Sequence, residues 1–426
     1  MSSISIPSEV RNNWKILLIA MIGTGCGLLS ITFYTQGLFF GPVSREFGWS
    51  RAEFFTSYTV LMLLGVVTGP LVGKLIARYG IRTIGLAGLA GHGIGYLLLA
   101  INPGSLALWY VSYALLSILA AGSLPITWTA LISRHFQSRL GLAIGITMSG
   151  TGVAAALAPL YVQFGLSAFG WRMTYATLGL IAWALATVTV LALYRNERQE
   201  GSNAPRQAGD QEGMTPAAAY RDYRFWFLCT AVFLLSLAVG GLVPNFVPLL
   251  TEKGIAPDDA GPVMSLLGIA VIAGRLTAGA IMDRLWAPAV STIYFAGTIV
   301  GILMIWTFAS LPIALAAIAA ILAGLALGAE LDIIAYLTRR YFGSRHYSEI
   351  FGGVYVAFAV GVGLAAPIWG ALHDLSGSYT PHLIGSILVI AAAHAMILAL
   401  GRYPASFAGH MDSARPLLTA QSNSTN

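Results

Sequence analysis

The segment RHFQSR (residues 134–139) returns 206 residues later as RYFGSR (residues 340–345), with Arg, Phe, Ser and Arg in the same places. Two more pairs keep this offset, GPVSREFG with VPLLTEKG and GKLIARYG with GAIMDRLW, and Pro159 matches Pro367 two residues out of step. One such match could arise by chance. Three matches at one offset, with a fourth displaced by two residues, indicate that the chain is built from two copies of one unit.

The composition places both copies in a membrane. Of the 426 residues, 57% are hydrophobic and 9% are charged, whereas soluble domains carry about 25% charged residues. About 20 apolar residues cross the hydrocarbon core of a bilayer as a helix. The sequence predicts twelve such spans, numbered in chain order: 15–40, 54–78, 83–101, 106–134, 140–164, 172–194, 225–250, 260–283, 289–309, 312–339, 349–372 and 382–401.

A polar stretch, RNERQEGSNAPRQAGDQEGMTP, separates span 6 from span 7. We therefore predict an all-α membrane protein with twelve transmembrane helices in two pseudo-symmetric six-helix bundles. The predicted parts are an N-terminal bundle (1–194), a linker (195–219), a C-terminal bundle (220–403) and a disordered tail (404–426).

The basic residues predict the orientation. Of the 23 Lys and Arg residues, eighteen fall on the side that holds both termini, four fall on the other side, and the last is Arg275 inside a span. Cytoplasmic loops carry the excess of Lys and Arg, so both termini are expected in the cytoplasm. The excess of positive charge is therefore explained by the orientation of the protein in the membrane. It gives no reason to expect a nucleic-acid partner. Cys26 and Cys229 show neither metal-ligand spacing nor a disulfide framework, and we expect no metal or cofactor.

The loop between spans 2 and 3, GKLIARYGIR (73–82), resembles the G-x-L-x-D-R-x-G-R signature of the major facilitator superfamily, except that Ala77 replaces the acid. The second copy, GAIMDRL (279–285), keeps the acid as Asp283. This resemblance implies the fold of that superfamily, in which the first, second, fourth and fifth helices of each half line a central cavity. It also implies a transporter and not an enzyme, and we expect a monomer in a bacterial inner membrane.

Span 5 narrows the resemblance. HFQSRLGLAIGITMSGTG (135–152) is similar to the span-5 pattern of monocarboxylate porters and oxalate/formate exchangers, and the matching residues are Phe136, Arg139, Ala143, Gly145 and Gly152. The resemblance implies a small carboxylate as the substrate, with protons or a counter-anion as the coupled solute.

Three charged residues fall inside spans at a similar depth. Arg275 lies in span 8, within LLGIAVIAGRLTAGAIMDRL, and Glu330 and Asp332 lie in span 10. A charge near the bilayer centre costs about 2.5–3.5 kcal/mol even on lenient insertion scales. Two helical residues turn through about 200°, so the two acids point in opposite directions. Asp332 lies on the same face of the helix as Tyr336, four residues later.

Two interpretations of Arg275 remain open. Either it is locked to Glu330 or Asp332 and only fixes helix packing, or its guanidinium faces the cavity and binds a substrate carboxylate through two hydrogen bonds. The two can merge if the acid neutralises Arg275 in the empty cavity and the substrate displaces it. Protonation of the freed acid would then couple transport to a proton gradient. We therefore predict that proton coupling involves Glu330, Asp332 and Tyr336.

Secondary substrate contacts are predicted from polar or aromatic side chains on the cavity helices: Tyr34, Gln36, Trp128, Asn245 and Tyr355. Tyr and Trp also populate membrane interfaces by default. A cytoplasmic gate is predicted where Asp283 lies close to basic residues in the repeat: Arg284, Arg340 and Arg345.

These residues predict a secondary active transporter of small organic anions, mono- or dicarboxylates, that works by alternating access with proton symport or anion exchange. The alternative is an exporter of drugs or other lipophilic cations, in which Glu330 or Asp332 faces the substrate. An enzyme is disfavoured because the sequence has no His-Glu-x-x-His motif and no paired acids facing the cavity. A channel would more naturally carry the same polar groups in both copies of the repeat. The residue equivalent to Arg275 in the first copy is Gly69, so a channel is disfavoured.

Overall fold

A computed structural model describes residues 8–136, 140–194, 213–282, 284–343 and 345–404. Within these ranges the chain is helical and has no strand, apart from one isolated β-bridge between Gly213 and Gly343. In the described part of the chain, ten helices are long and apolar enough to cross a membrane. Two more crossings are present, because Leu140–Leu193 contains two helices joined at Gly170 and because one span is broken into two shorter helices.

The spans keep the numbers used above. Their bounds are Trp14–Gly25 with Leu28–Phe47 (span 1), Arg51–Tyr79 (2), Ile81–Ala100 (3), Leu106–Leu119 with Pro125–His135 (4), Leu140–Leu193 (5 and 6), Tyr223–Glu252 (7), Pro257–Met282 (8), Ala287–Thr307 (9), Ile313–Phe342 (10), Tyr347–Ser376 (11) and Thr380–Ala399 (12). Short helices cover Ser8–Asn12, Ala121–Ser123 (3₁₀) and Pro216–Arg221. The predicted all-helical membrane fold is confirmed.

The breaks in spans 1 and 4 lie against each other. Gly27 is extended (φ −76°, ψ 168°), and the next backbone N–H, of Leu28, donates to Ser123 Oγ at 3.1 Å. His92 of span 3 contacts the carbonyl oxygen of Cys26 through Nδ1 at 2.9 Å. Backbone groups freed inside a membrane must find partners within the protein. Ser123 and His92 supply them, so His92 has a structural role.

Twelve alternating crossings place Tyr194 and Gly213, which flank the linker sequence, at the same end of the protein as the first and last described residues, Ser8 and Pro404. We call this the linker end; the opposite end is the far end. The two halves meet where span 1 packs on span 7, span 2 on span 11, and span 5 on span 8. Glycines allow close contact from mid-membrane towards the far end. A Cβ at Gly37 would overlap the carbonyl oxygen of Pro244, and one at Gly268 would overlap the backbone of Ala155. Small residues permit such backbone approach.

The same helix faces separate towards the linker end. Gly363 of span 11 packs on Met62 of span 2. Gly65, Gly69 and Gly73 lie on the same face of span 2 as Met62, but no neighbouring atom of the described residues comes within 4 Å of their Cβ positions. The same holds for the linker-end glycines of the other interface helices: Gly145, Gly279 and Gly352. The halves are therefore joined at the far end and spread apart at the linker end.

Candidate functional site

The candidate site centres on Arg275 of span 8. Its side chain is only 8% exposed, and its Nε lies 3.9 Å from Asp332 Oδ2 of span 10. This distance is too long for a hydrogen bond, and Nε has no hydrogen-bond partner among the described residues. A guanidinium has five N–H donors, and here at least the Nε donor is buried beside a carboxylate without a hydrogen bond to any described residue.

Close packing of spans 8 and 10 creates this pair. Gly274, beside Arg275, lies against the backbone of Leu325, and Gly328 lies against the backbone of Val271. A Cβ at either glycine would overlap the neighbouring helix. Because the helices approach so closely, the side chains of Arg275 and Asp332 reach each other across the contact.

The two acids of span 10 have different surroundings, as their angular separation predicts. The Asp332 side chain is 36% exposed beside Arg275. Glu330 is buried and accepts a hydrogen bond from Ser236 Oγ of span 7 at 2.8 Å. Of the two partners that the sequence left open for Arg275, the structure pairs it with Asp332. Asp332 is also the more exposed of the two acids.

Tyr34 of span 1 brings the other half of the protein to this site. Its side chain is buried, and it lies near the charged groups of both Arg275 and Glu330. Phe33 contacts Tyr34 edge to face, with ring centroids 5.1 Å apart. The charges of spans 8 and 10 therefore face an aromatic region of span 1, across the boundary between the halves.

Tyr58 of span 2 extends this aromatic region. It lies near Tyr34 and near Tyr355 of span 11, and its ring centroid is 5.8 Å from that of Phe33. The sequence analysis missed Phe33 and Tyr58, because they stand among many aromatic residues in apolar spans and carry no charge or motif. Tyr355 also packs on Phe358 at 5.5 Å.

Three predicted substrate contacts are engaged elsewhere. Gln36 donates to Ser57 Oγ at 3.2 Å inside the N-terminal half. Trp128 donates to the Ser123 carbonyl at 3.1 Å and packs against Gly23. Asn245 donates to the Gly241 carbonyl at 2.9 Å and accepts from Tyr379 at 3.4 Å. Hydrogen bonds inside their own halves hold all three side chains, and their contact with substrate stays a prediction.

The predicted gate at the linker end is only partly described. Asp283 lies outside the described residues, and so does Arg139 of the span-5 pattern. Arg284 and Arg345 are exposed, and Arg340 places its guanidinium over the rings of Tyr336 (5.8 Å) and Tyr403 (4.6 Å). Tyr336 is half-buried. Within the described ranges, no three His, Cys, Asp or Glu side chains gather as metal ligands.

The chain is similar to monocarboxylate transporter 12 of Mus musculus (25% identity, 88% of this chain, 83% of that protein) and to monocarboxylate transporter 13 of Rattus norvegicus (26%, 89% and 90%). Among solved structures, a bacterial homologue of the human lysosomal transporter Spinster, described as inward-facing and occupied, superposes with a TM-score of 0.65 at 16% identity, covering 94% of this chain and 98% of that one.

The family assignment comes from the sequence profile of the Major Facilitator Superfamily. It matches this chain in two overlapping stretches, residues 20–352 and 228–415. These matches, the twelve crossings and the shared fold agree. The chain is therefore a multi-pass membrane transporter that belongs to the Major Facilitator Superfamily.

Proposed function

We propose that this protein transports small organic anions, mono- or dicarboxylates, by alternating access, and that Arg275 binds the substrate carboxylate. One observation supports this most strongly: Arg275 is buried, yet its Nε has no hydrogen-bond partner among the described residues. Leaving a buried donor unsatisfied costs about 1–3 kcal/mol, more if the group is charged. A permanent structural role would leave this cost uncompensated. A substrate that binds and leaves explains the unpaired donor better.

A carboxylate supplies the missing hydrogen bonds. The guanidinium fork binds a planar carboxylate through two parallel N–H···O bonds, a geometry that Lys cannot reproduce. Among the described residues, Asp332 contacts Arg275 at 3.9 Å, a distance too long for a hydrogen bond. An incoming carboxylate can therefore replace it without first breaking a hydrogen bond.

Displacement of Asp332 also accounts for coupling. Once the substrate occupies Arg275, two carboxylates lie beside one guanidinium, and like charges at this distance repel. A proton on Asp332 removes the repulsion and travels with the substrate, which gives proton symport. A second anion that replaces the first on Arg275 gives exchange without a proton. Glu330, held by Ser236, is the second proton carrier in this proposal.

The similarity to proteins named monocarboxylate transporters supports the carboxylate class, as does the span-5 pattern. The excess of Lys and Arg supports a cytoplasmic linker end and cytoplasmic termini. In that orientation the linker-end opening faces the cytoplasm. We place the protein as a monomer in a bacterial inner membrane.

Export of lipophilic cations is the second candidate. The observation that favours it is the 36% exposure of the Asp332 side chain, since an accessible carboxylate can receive a cation. In that case Arg275 would only position Asp332, and the transported charge would have the opposite sign.

Uptake into proteoliposomes separates the two candidates. Purified protein is tested with lactate, oxalate and benzoate, with and without a proton gradient, and with a fluorescent lipophilic cation. We expect saturable carboxylate uptake that is lost in Arg275→Lys and Arg275→Ala but kept in the control Arg134→Lys, which alters an exposed arginine. Stimulation by a proton gradient indicates symport, and stimulation by internal carboxylate indicates exchange. Cation transport that survives Arg275→Ala but not Asp332→Asn would reject the carboxylate proposal.

A further inference from the structure

We propose that a polar latch between the halves holds the far end closed and sets the balance between the two open states of the transporter. The far-end latch consists of Arg51 and Ala52 at the start of span 2, Asp374 near the end of span 11, and Tyr379 just before span 12. The proposal concerns the conformational equilibrium and does not depend on which solute the protein carries.

Three contacts of the latch cross from one half to the other. The backbone N–H of Ala52 donates to Asp374 Oδ2 at 3.0 Å, and Arg51 Nε donates to the Tyr379 hydroxyl oxygen at 3.1 Å. Arg51 Nη1 also lies 4.0 Å from Asp374 Oδ1. Asp374 therefore faces both a cationic side chain and a backbone donor of the opposite half.

The start of span 2 is built to attract an acid. Ser50 and Glu53 form a capping box in which each side chain binds the other's backbone N–H. The N–H of Ala52, another of the first helical donors that lack an intrahelical acceptor, is left for a partner. Negative charge is favoured at a helix N-terminus. Asp374 supplies that charge from the other half, so its hydrogen bond is charge-assisted.

Close packing of spans 2 and 11 brings these groups together. Gly370 lies one helical turn before Asp374, and a Cβ there would stand 3.0 Å from the Ala52 nitrogen and 3.0 Å from the Arg51 carbonyl carbon. The glycine thus lets span 11 approach the first turn of span 2. A larger residue would have to push the acid away from its donors.

The receiving side of the latch is fixed within the C-terminal half. The Tyr379 hydroxyl donates to Asn245 Oδ1 at 3.4 Å, and its backbone N–H donates to Glu252 Oε1 at 3.4 Å. The other Glu252 oxygen contacts His373 Nε2 at 2.7 Å. These contacts join spans 7, 11 and 12, so Tyr379 stays in place when the halves separate. Only the partners on span 2 are lost.

The latch is the charged part of a one-sided interface. Two other described hydrogen bonds join the halves, Thr59 Oγ1 to the Gly363 carbonyl at 2.5 Å and Gln163 Nε2 to Asp258 Oδ1 at 3.3 Å, and neither lies at the linker end. Within the described ranges, Arg51 with Asp374 is the one ion pair between the halves. Loss of these charges should therefore weaken the far-end-closed state selectively.

Distances between spin labels test the latch in the full chain, reconstituted in lipid nanodiscs without added solute. Both native cysteines are first replaced, by Cys26→Ser and Cys229→Ser. One pair of labels, at Ala107→Cys and Ser310→Cys, then reports opening of the far end. A second pair, at Ser133→Cys and Leu285→Cys, reports opening of the linker end. We expect Asp374→Asn and Arg51→Gln each to raise the ratio of far-end-open to far-end-closed molecules about tenfold, as for loss of a charge-assisted hydrogen bond. Tyr379→Phe and Arg51→Lys should shift the ratio less, because each keeps the ion pair.

A matched control alters another far-end acid. Glu46 binds Arg172 (2.6 Å) and Trp171 (2.6 Å) wholly within the N-terminal half, so Glu46→Gln should leave the ratio unchanged. Thermal unfolding confirms that each variant is folded. Distance distributions for Asp374→Asn and Arg51→Gln that coincide with the wild-type distribution, in folded protein, would overturn the latch. Failure of the carboxylate proposal would not change this result, since no substrate is present.

Discussion

Neutralising Asp332 should strengthen carboxylate binding and weaken its coupling to protons. At 3.9 Å, two opposite charges attract by about 4 kcal/mol in surroundings with an effective dielectric constant near 20. Because the Asp332 side chain is 36% exposed, solvent screens this attraction, and about 1–2 kcal/mol is a reasonable discounted value. A substrate carboxylate must overcome this attraction to reach Arg275. Asp332→Asn should therefore raise carboxylate affinity roughly 5- to 30-fold.

Calorimetric titration of purified protein with the best carboxylate from the uptake panel measures this gain. Uptake driven by a proton gradient measures the coupling, and in Asp332→Asn we expect the gradient to stimulate uptake much less. Glu330→Gln is the matched control for affinity, because Glu330 binds Ser236 and does not compete for Arg275. Weaker binding in Asp332→Asn together with undiminished proton stimulation would refute the displacement argument.

Three further substitutions test individual contacts. Ser236→Ala removes the hydrogen bond to the buried carboxylate of Glu330, so thermal melting should show a loss of stability of about 1–3 kcal/mol, which the double variant with Glu330→Gln should largely restore. Gly37→Leu places a side chain against the Pro244 carbonyl, and far-end spin-label distances should lengthen; unchanged distances would contradict the close contact. Trp128→Phe loses one buried hydrogen bond and should lower stability by about 1 kcal/mol without changing the KM for uptake, whereas a raised KM would return Trp128 to the substrate site.

The fold was predictable because the bilayer limits the possible structures. A spanning segment needs about 20 apolar residues, so the spans can be counted along the chain, and the repeat relates the two halves. The interruptions inside spans 1 and 4 could not be found in this way. Gly27 and Ser123 are ordinary residues of glycine-rich apolar segments, and the two breaks satisfy each other only once the helices have packed.

The site was predictable in its charges but not in its pairings. Helical geometry indicates that Glu330 and Asp332 point in opposite directions, but it does not say which of them meets span 8. That choice depends on the rotation of span 10, which is set by the packing of Gly274 and Gly328. Trp128 illustrates the same difficulty, since its position along span 4 is known from the sequence but its direction within the bundle is not.

The far-end latch gave no local signal in the sequence. Arg51 and Asp374 lie at the ends of spans in opposite halves, more than 300 residues apart. Charged residues at span ends are common because they remain in contact with water. Only the packing of span 2 on span 11 brings this particular pair together.

The central claim is that the Arg275 guanidinium receives the substrate carboxylate, and equilibrium binding of that carboxylate to Arg275→Lys tests it most directly. Lysine keeps the positive charge beside Asp332 but cannot form the two-point contact. The account predicts that Arg275→Lys, folded by its melting curve, binds at least about tenfold more weakly, a loss of about 1.4 kcal/mol or more, while Arg134→Lys binds as the wild type does. Equal affinity in the wild type and Arg275→Lys would contradict the account.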